Sequence, residues 1–222
     1  MRVFSQVVLI AVLVCFIFSP FRRCHAFEDG DLQFWNTEGV EVKLSDRCKC
    51  SVNEELRFGN NISELYHTHT DGGLTLKVTD ELDLGMRYRL IYEKDRGAWK
   101  EENRPYANAT VKWVLFGCKF RDRGQLEFRI PEGKDEKWRY RNKLTVILPW
   151  EWTRFSVQPY VADEVFVDFH GEKMNRNRLY GGFTAKPFKH LKTELYYLWQ
   201  ISKSKRSWTG INVIGLKLTM VF

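Results

Sequence analysis

The feature that most constrains the fold is an alternation of apolar and polar residues with a period of two. The last stretch, Ile211 to Phe222, places Leu216, Leu218, Met220 and Phe222 on one face and Lys217 and Thr219 on the other. Successive side chains of a β-strand point to opposite faces, so this period predicts a strand. We expect this strand to close a barrel against an earlier one, with Phe222 as a terminal assembly signal. An ordinary final strand would show the same alternation.

The clearest alternation lies at residues 82–93, where one face is apolar and the other is mostly charged. The apolar face carries Leu82, Leu84, Met86, Tyr88, Leu90 and Tyr92, and the opposite face carries Asp83, Gly85, Arg87, Arg89, Ile91 and Glu93. A tilted strand of about 9–11 residues is long enough to cross a membrane. This segment therefore favours a transmembrane strand.

Strand-like segments fill the chain from residue 27 onward and predict one domain, residues 27–222. We expect eleven strands, at 32–44, 48–58, 66–79, 82–93, 106–115, 119–130, 138–148, 154–167, 176–186, 191–201 and 211–222. The fold class expected is all-β, an antiparallel up-and-down transmembrane barrel of about 10–12 strands. Since single-chain bacterial barrels have even strand numbers, the first segment either bends into two strands or lies apart. From residue 82 on, short turns are expected to alternate with longer charged loops, one of them at 93–105.

The N-terminus has the organisation of a secretory signal peptide. An apolar run from Val3 to Phe18 follows Arg2, and Ala26 offers a small residue at a cleavage site. We expect residues 1–26 to be cleaved; an uncleaved signal anchor flanked by Arg22 and Arg23 is the alternative. Cleavage removes three arginines and no acid, so the formal net charge falls from +7 to +4. This mildly basic charge, spread along the strands, indicates no nucleic-acid partner.

The charged faces of the strands are the candidate functional surface. The residues expected to line the lumen are Arg87, Arg89, Lys112, Arg121, Arg123, Glu127, Arg129, Arg139, Arg141, Lys143, Arg176 and Arg178. Glu55, Arg57, Glu164 and Glu194 share these faces. In a membrane barrel they would form a plug of paired charges or a narrow basic pore. In a soluble barrel the same pattern would direct the charges to water. The signal peptide, the strand length and Phe222 favour the membrane barrel.

Neither an enzyme site nor a metal site is expected. His67, His69 and Asp71 share one strand face and could present a metal-ligand set, but a solvated pair near the surface is the preferred interpretation. Ser63 or Thr68 nearby would suit a lipid hydrolase, yet no nucleophile motif accompanies them. Cys48, Cys50 and Cys118 form neither a disulfide framework nor a zinc motif. We therefore expect no catalytic residues, no metal and no cofactor.

Seven segments follow one another along the chain: DLQFWNTEGVEVKL, EELRFGNN, LDLGMRYRLIYE, EFRI followed by WRYRNKLT, QPYVADEVFVDF, NRNRLYGGF and YYLWQ. As a set in this order they resemble the DUF2490 group of uncharacterised bacterial proteins. The resemblance implies a barrel integral to the bacterial outer membrane, and it implies no catalytic residues. The expected partners are outer-membrane lipid, lipopolysaccharide and the outer-membrane assembly machinery, with the barrel a monomer. The expected function is a structural barrel or a narrow porin-like channel; a lipid-modifying enzyme and a secreted soluble ligand-binding barrel are the alternatives.

Overall fold

The computed structural model describes residues 29–169, 174–204 and 207–222. The predicted signal peptide, residues 1–26, lies outside the described residues. Every regular element in the described part of the chain is a β-strand. Within those ranges, the chain forms no helix long and apolar enough to cross a membrane.

Eleven strands follow one another along the described chain. They are β1 (Asp31–Lys43), β2 (Cys48–Gly59), β3 (Glu64–Lys77), β4 (Leu82–Asp95), β5 (Ala98–Leu115), β6 (Cys118–Pro131), β7 (Lys137–Ile147), β8 (Gln158–Asp168), β9 (Arg176–Phe188), β10 (Leu191–Ser204) and β11 (Ser207–Val221). Each pairs in antiparallel fashion with the next along the chain, from β1–β2 to β10–β11. The predicted all-β barrel of 10–12 strands is confirmed.

The first and last strands close the barrel by pairing with each other in parallel. The register runs from Asp31 opposite Ile211 to Glu41 opposite Val221. The expectation that the segment 32–44 bends into two strands or lies apart is wrong, because β1 is one continuous strand in the wall. With eleven strands running alternately up and down, β1 and β11 point the same way, so their seam must be parallel. Closure leaves no unpaired edge, which is the physical advantage of a barrel.

The barrel has two ends, which we name by the chain termini nearest to them. At the C-terminal rim lie the end of β11 and the connections 44–47, 78–81, 116–117, 148–157 and 189–190. At the N-terminal rim lie the start of β1, the connections 60–63, 96–97 and 132–136, the ends of β8 and β10, and the starts of β9 and β11. The predicted alternation of short turns and long loops is wrong, since two-residue turns occur at both rims and the longest connection, 148–157, lies at the C-terminal rim.

The predicted polar loop at 93–105 is in fact most of a β-hairpin. Strand β4 continues to Asp95 and β5 begins at Ala98. Arg96 and Gly97 make the turn, both with positive φ (53° and 87°). A two-residue turn of this kind matches the right-handed twist of paired strands. The polar composition of this segment predicts a loop, but the charged side chains belong to strands that extend to the N-terminal rim.

The two faces of the wall differ in polarity, with charged groups inside and apolar groups outside. The outer face of β4 is exposed, with Met86 at 77 %. Aromatic side chains near the two rims are also exposed: Tyr92, Trp99, Trp138, Tyr140, Trp150, Trp152, Trp199, Trp208 and Phe222. The interior holds polar residues that are almost fully buried, together with an apolar cluster beside the seam: Trp35, Tyr160, Ala162, Tyr196, Leu198, Ile211 and Val213.

The carboxylates that interrupt the apolar outer wall include Glu38, Glu54, Glu101, Asp122 and Asp163. Each accepts a hydrogen bond from a neighbouring outward side chain. For example, the Thr68 hydroxyl donates to Glu54 (2.6 Å) and the Asn142 amide donates to Asp122 (2.7 Å). Asn36 and Asn177 donate likewise to Glu38 and Asp163. These bonds partly compensate each carboxylate for its apolar surroundings.

Candidate functional site

The interior of the barrel is closed towards the N-terminal rim by an ion-pair network centred on two buried carboxylates. Glu127, which is 0 % exposed, accepts hydrogen bonds from Arg139 Nε (2.7 Å), Arg141 Nη1 (2.9 Å) and the Gln125 amide (2.7 Å). Arg104 Nη1 lies 3.7 Å from the same carboxylate. Register explains this convergence, because Arg139 of β7 lies directly opposite Glu127 of β6.

The second carboxylate, Glu164 on β8, is 1 % exposed and shares a partner with the first. Arg141 Nη2 lies 2.5 Å from Glu164 Oε1, so one guanidinium bridges both acids. The Tyr180 hydroxyl donates to Glu164 Oε2 (2.8 Å), and Arg178 Nη1 lies 3.4 Å from it. A guanidinium can donate five hydrogen bonds in a fixed plane, which suits it to join two carboxylates rigidly.

Two aromatic rings fill the space between these charged groups. Phe166, 1 % exposed, has the guanidinium carbons of Arg141 and Arg178 at 4.7 and 4.8 Å from its ring centre. Trp35 lies between Arg57 (3.8 Å) and Arg178 (4.8 Å). Cations over aromatic faces are attracted by the ring quadrupole. We call Trp35, Glu127, Arg141, Glu164 and Phe166 the plug, because each of these inward side chains is at most 8 % exposed.

Two further inward acids, Asp71 and Glu102, are also bonded by arginine. Asp71 is bonded by Arg87, by Arg89 Nε (3.0 Å) and by the Tyr106 hydroxyl (2.6 Å). Glu102 accepts from Arg104 Nε (2.8 Å) and Arg129 Nη2 (2.7 Å). Glu102 and Arg104 belong to this ion-pair network, although the sequence pattern predicts a loop at their positions. Lys100, Glu102, Arg104 and Tyr106 occupy every second position, and this period of two is the sequence pattern that indicates a shared inward face.

The twelve side chains expected in the lumen all lie on the inward positions of their strands, at different levels. Those bonded in the ion-pair network are Arg87, Arg89, Glu127, Arg129, Arg139, Arg141 and Arg178. Nearer the C-terminal rim are Arg121, Arg123 and Lys143, and Lys112, which pairs with Asp83 (2.9 Å). Arg176 donates to the Ser202 hydroxyl (3.2 Å), near the N-terminal rim.

A cavity of about 190 Å³ occupies the interior between the plug and the C-terminal rim, and we call it the basic vestibule. Its lining is Thr110, Arg121, Arg123, Lys143, Thr145, Ile147, Tyr160, Thr184, Glu194 and Lys217. Four of these are cations and one is an acid, Glu194, which accepts a hydrogen bond from the Tyr160 hydroxyl. Within the described ranges, no salt bridge joins Arg121, Lys143 or Lys217 to a carboxylate. The vestibule therefore carries an excess of positive charge.

His67 and His69 are buried in the barrel interior, each 4 % exposed. The expectation of a solvated pair near the surface is wrong, because both rings point into the barrel, where His67 contacts Glu93 (2.9 Å) and His69 (3.1 Å). Asp71 shares their face as the alternation indicates, but its oxygens are taken by Arg87, Arg89 and Tyr106.

A family model described as "Protein of unknown function (DUF2490)" matches residues 32–210 of this chain. The matched range runs from the second residue of β1 through β10 to the first four residues of β11, and it confirms the resemblance read from the sequence segments. A comparison with curated proteins gives no match.

Proposed function

The chain belongs to DUF2490, a family of unknown function, and on this premise we propose that it is an integral barrel of the bacterial outer membrane that binds an anionic solute in its basic vestibule. Export by the N-terminal segment is part of this proposal, as is contact of the outer wall with lipid and lipopolysaccharide. Membership of DUF2490 and the barrel fold are the premises, and the outer-membrane location and the anionic solute are what we propose.

The observation that carries the membrane location is the inverted polarity of the wall. A soluble barrel buries apolar side chains and turns charges to water. This barrel buries Glu127 and Glu164 and exposes Leu, Val, Met and aromatic side chains on almost every outer strand face. Exposed Trp and Tyr near both rims fit the headgroup layers, where an apolar ring and a polar tip are both satisfied.

The vestibule and the plug support binding rather than free diffusion. Phe166, Glu127 and Glu164 are at most 1 % exposed inside the barrel, and this close packing favours a plugged lumen over an open porin channel. The vestibule opens towards the C-terminal rim, and its cations Arg121, Lys143 and Lys217 lack carboxylate partners. Such a surface attracts phosphate or carboxylate groups of a size that the cavity admits.

The proposal is tested with the purified barrel in detergent and inorganic pyrophosphate as the probe, measured by calorimetry. We expect binding that weakens with added salt, and a loss of about tenfold in affinity, or about 1.4 kcal/mol, in the double variant Arg121→Gln/Lys217→Gln. Lys134→Gln is the matched control, because Lys134 pairs with Asp95 at the opposite rim. Equal affinities in wild type and double variant would exclude vestibule binding.

Whether the lumen conducts ions is tested separately, by measuring the conductance of the barrel in planar bilayers. We expect no steady conductance from the wild-type barrel, because the plug closes the lumen. A stable, salt-dependent conductance of the wild type would instead support the narrow porin-like channel.

A secreted soluble ligand-binding barrel is the second candidate, favoured by the outward carboxylates Glu38, Glu54, Asp122 and Asp163. It predicts a protein that remains monodisperse without detergent. The membrane barrel predicts extraction from outer membranes only by detergent and a gel mobility that changes on boiling.

A further inference from the structure

A second polar cluster, separate from the vestibule, lies inside the barrel near the N-terminal rim. The ligand atoms of Glu55, His67 and His69 all lie within 4.8 Å of one another. Register brings them together: Glu55 on β2 lies directly opposite His69 on β3, and His67 is two residues along the same inward face. We call these three residues the His–His–Glu cluster.

The distances within the cluster are those of ligands that share one metal ion. His67 Nε2 lies 3.1 Å from His69 Nδ1, and Glu55 Oε1 lies 3.8 Å from His69 Nδ1. Two nitrogens bound to zinc at about 2.0–2.1 Å in tetrahedral geometry lie about 3.4 Å apart. The observed spacings bracket this value, so an ion fits among the three atoms with small side-chain movements.

The neighbours of the cluster orient its atoms for binding. His67 Nδ1 lies 2.9 Å from Glu93 Oε2. An ionised carboxylate only accepts hydrogen bonds, so His67 donates from Nδ1 and its Nε2 presents a lone pair towards His69. A carboxylate behind a histidine ligand is a common arrangement around protein-bound metals.

Glu55 is held in place from its other side. The Thr37 hydroxyl donates to its Oε2 (3.0 Å) and Arg57 Nε donates to its Oε1 (2.6 Å). Arg57 is in turn fixed over the Trp35 ring. Hydrogen bonds to a ligating carboxylate are compatible with coordination and fix its orientation.

We propose that Glu55, His67 and His69 bind a divalent transition-metal cation, with zinc the best match, and that Glu93 is a positioning residue for His67. Two imidazole nitrogens and one carboxylate oxygen are a zinc donor set that leaves a fourth position open. Glu93 has a side chain that is 59 % exposed, so the cluster lies just below the N-terminal rim and an ion reaches it from that side. The proposal is independent of the membrane location and of anion binding.

The experiment measures zinc bound to the purified full-length barrel by equilibrium dialysis and elemental analysis. All samples carry Cys48, Cys50 and Cys118 replaced by serine, because these free thiols could bind zinc elsewhere. We expect one zinc per barrel in this background. His67→Gln/His69→Gln and Glu55→Gln are each expected to weaken binding by about 100-fold or more, since second-shell changes alone cost about 10–100-fold. His190→Gln, at the C-terminal rim, is the matched histidine control and should bind zinc normally.

Folding is checked by far-ultraviolet circular dichroism, which reports the β-sheet content of a membrane or a soluble barrel, and only folded variants are compared. Glu93→Gln distinguishes positioning from a structural role: it should weaken zinc binding by about 10–100-fold while the apparent melting temperature without metal is retained. A visible spectrum of tetrahedral cobalt(II) in the serine background, absent from Glu55→Gln, is the second readout. Zinc affinities in Glu55→Gln and the double-histidine variant equal to that of the background would overturn the proposal, as would no zinc binding by the background itself. Equally tight binding of magnesium or calcium would also overturn it, because those ions prefer all-oxygen sites.

Discussion

Replacing Glu127 by glutamine is expected to destabilise the barrel by about 3 kcal/mol. The substitution keeps the shape of the side chain but exchanges one acceptor oxygen for an amide donor. That donor must face Arg139 at 2.7 Å or Arg141 at 2.9 Å, and both guanidinium groups lose the negative charge that holds them. Removing one partner of a buried ion pair costs about 3–5 kcal/mol. We take the lower figure because Arg141 keeps its second partner, Glu164.

The assay is urea unfolding of the barrel in lipid vesicles, followed by tryptophan fluorescence and by the folded band on a gel. A change of about 3 kcal/mol is a shift of more than 100-fold in the folding equilibrium, well above the error of extrapolation. Glu132→Gln is the matched control, because Glu132 pairs with Lys100 at the rim, where both side chains are about half exposed. That control should unfold at the wild-type urea concentration.

A double variant tests whether the loss of folding stability in Glu127→Gln arises from the Arg139 guanidinium, which is left buried without a carboxylate partner. Arg139→Met removes the guanidinium whose carboxylate partner is Glu127. In Glu127→Gln/Arg139→Met the loss should be smaller than the sum of the two single losses, since fewer unpaired charges remain buried. Strict additivity, or a Glu127→Gln variant as stable as Glu132→Gln, would refute the plug as a stabilising network.

Three further perturbations test the seam and the outer wall. Deleting Phe222 removes the backbone bonds that it shares with Glu41 and Lys43 (2.9 and 2.8 Å), so the fraction of barrel assembled into membranes should fall, as measured by gel mobility; unchanged assembly would contradict its role as an assembly signal. Gly215→Ala would place a Cβ 2.0 Å from the Tyr196 ring and should cost about 1–3 kcal/mol in urea unfolding, whereas Gly181→Ala, with open space around it, should not. Glu54→Gln should raise the folded fraction in vesicles if the outer wall faces lipid, and a lower fraction would count against that orientation.

Period-two alternation predicts ten of the eleven strands to within a few residues, because each strand has one apolar and one polar face. The hairpin around Arg96 and Gly97 is the exception. There both faces of the extended strands are polar, as at Glu101 and Glu102, so the pattern cannot distinguish a strand from a loop. The parallel seam could not be predicted from the sequence either. The rule that bacterial barrels have even strand numbers predicts an antiparallel closure, whereas eleven strands place β1 and β11 in parallel.

The candidate site depends on register, which alternation does not determine. The pattern of β3 places His67, His69 and Asp71 on one face, and the structure agrees. It does not show that Glu55 lies opposite His69, or that arginines take the oxygens of Asp71. Burial of the histidines could not be derived either, because alternation shows which side chains share a face but not whether that face points into the barrel.

Spin labels along β4 show whether the outer wall faces lipid while the charged face lines the lumen. Single cysteines at positions 84 to 89, in a background without Cys48, Cys50 and Cys118, would be labelled in the barrel reconstituted in vesicles. We predict that labels at Leu84, Met86 and Tyr88 collide with oxygen dissolved in lipid, whereas labels at Gly85, Arg87 and Arg89 are protected from it. Labels at the even positions that instead collide with a water-soluble nickel chelate would contradict the account.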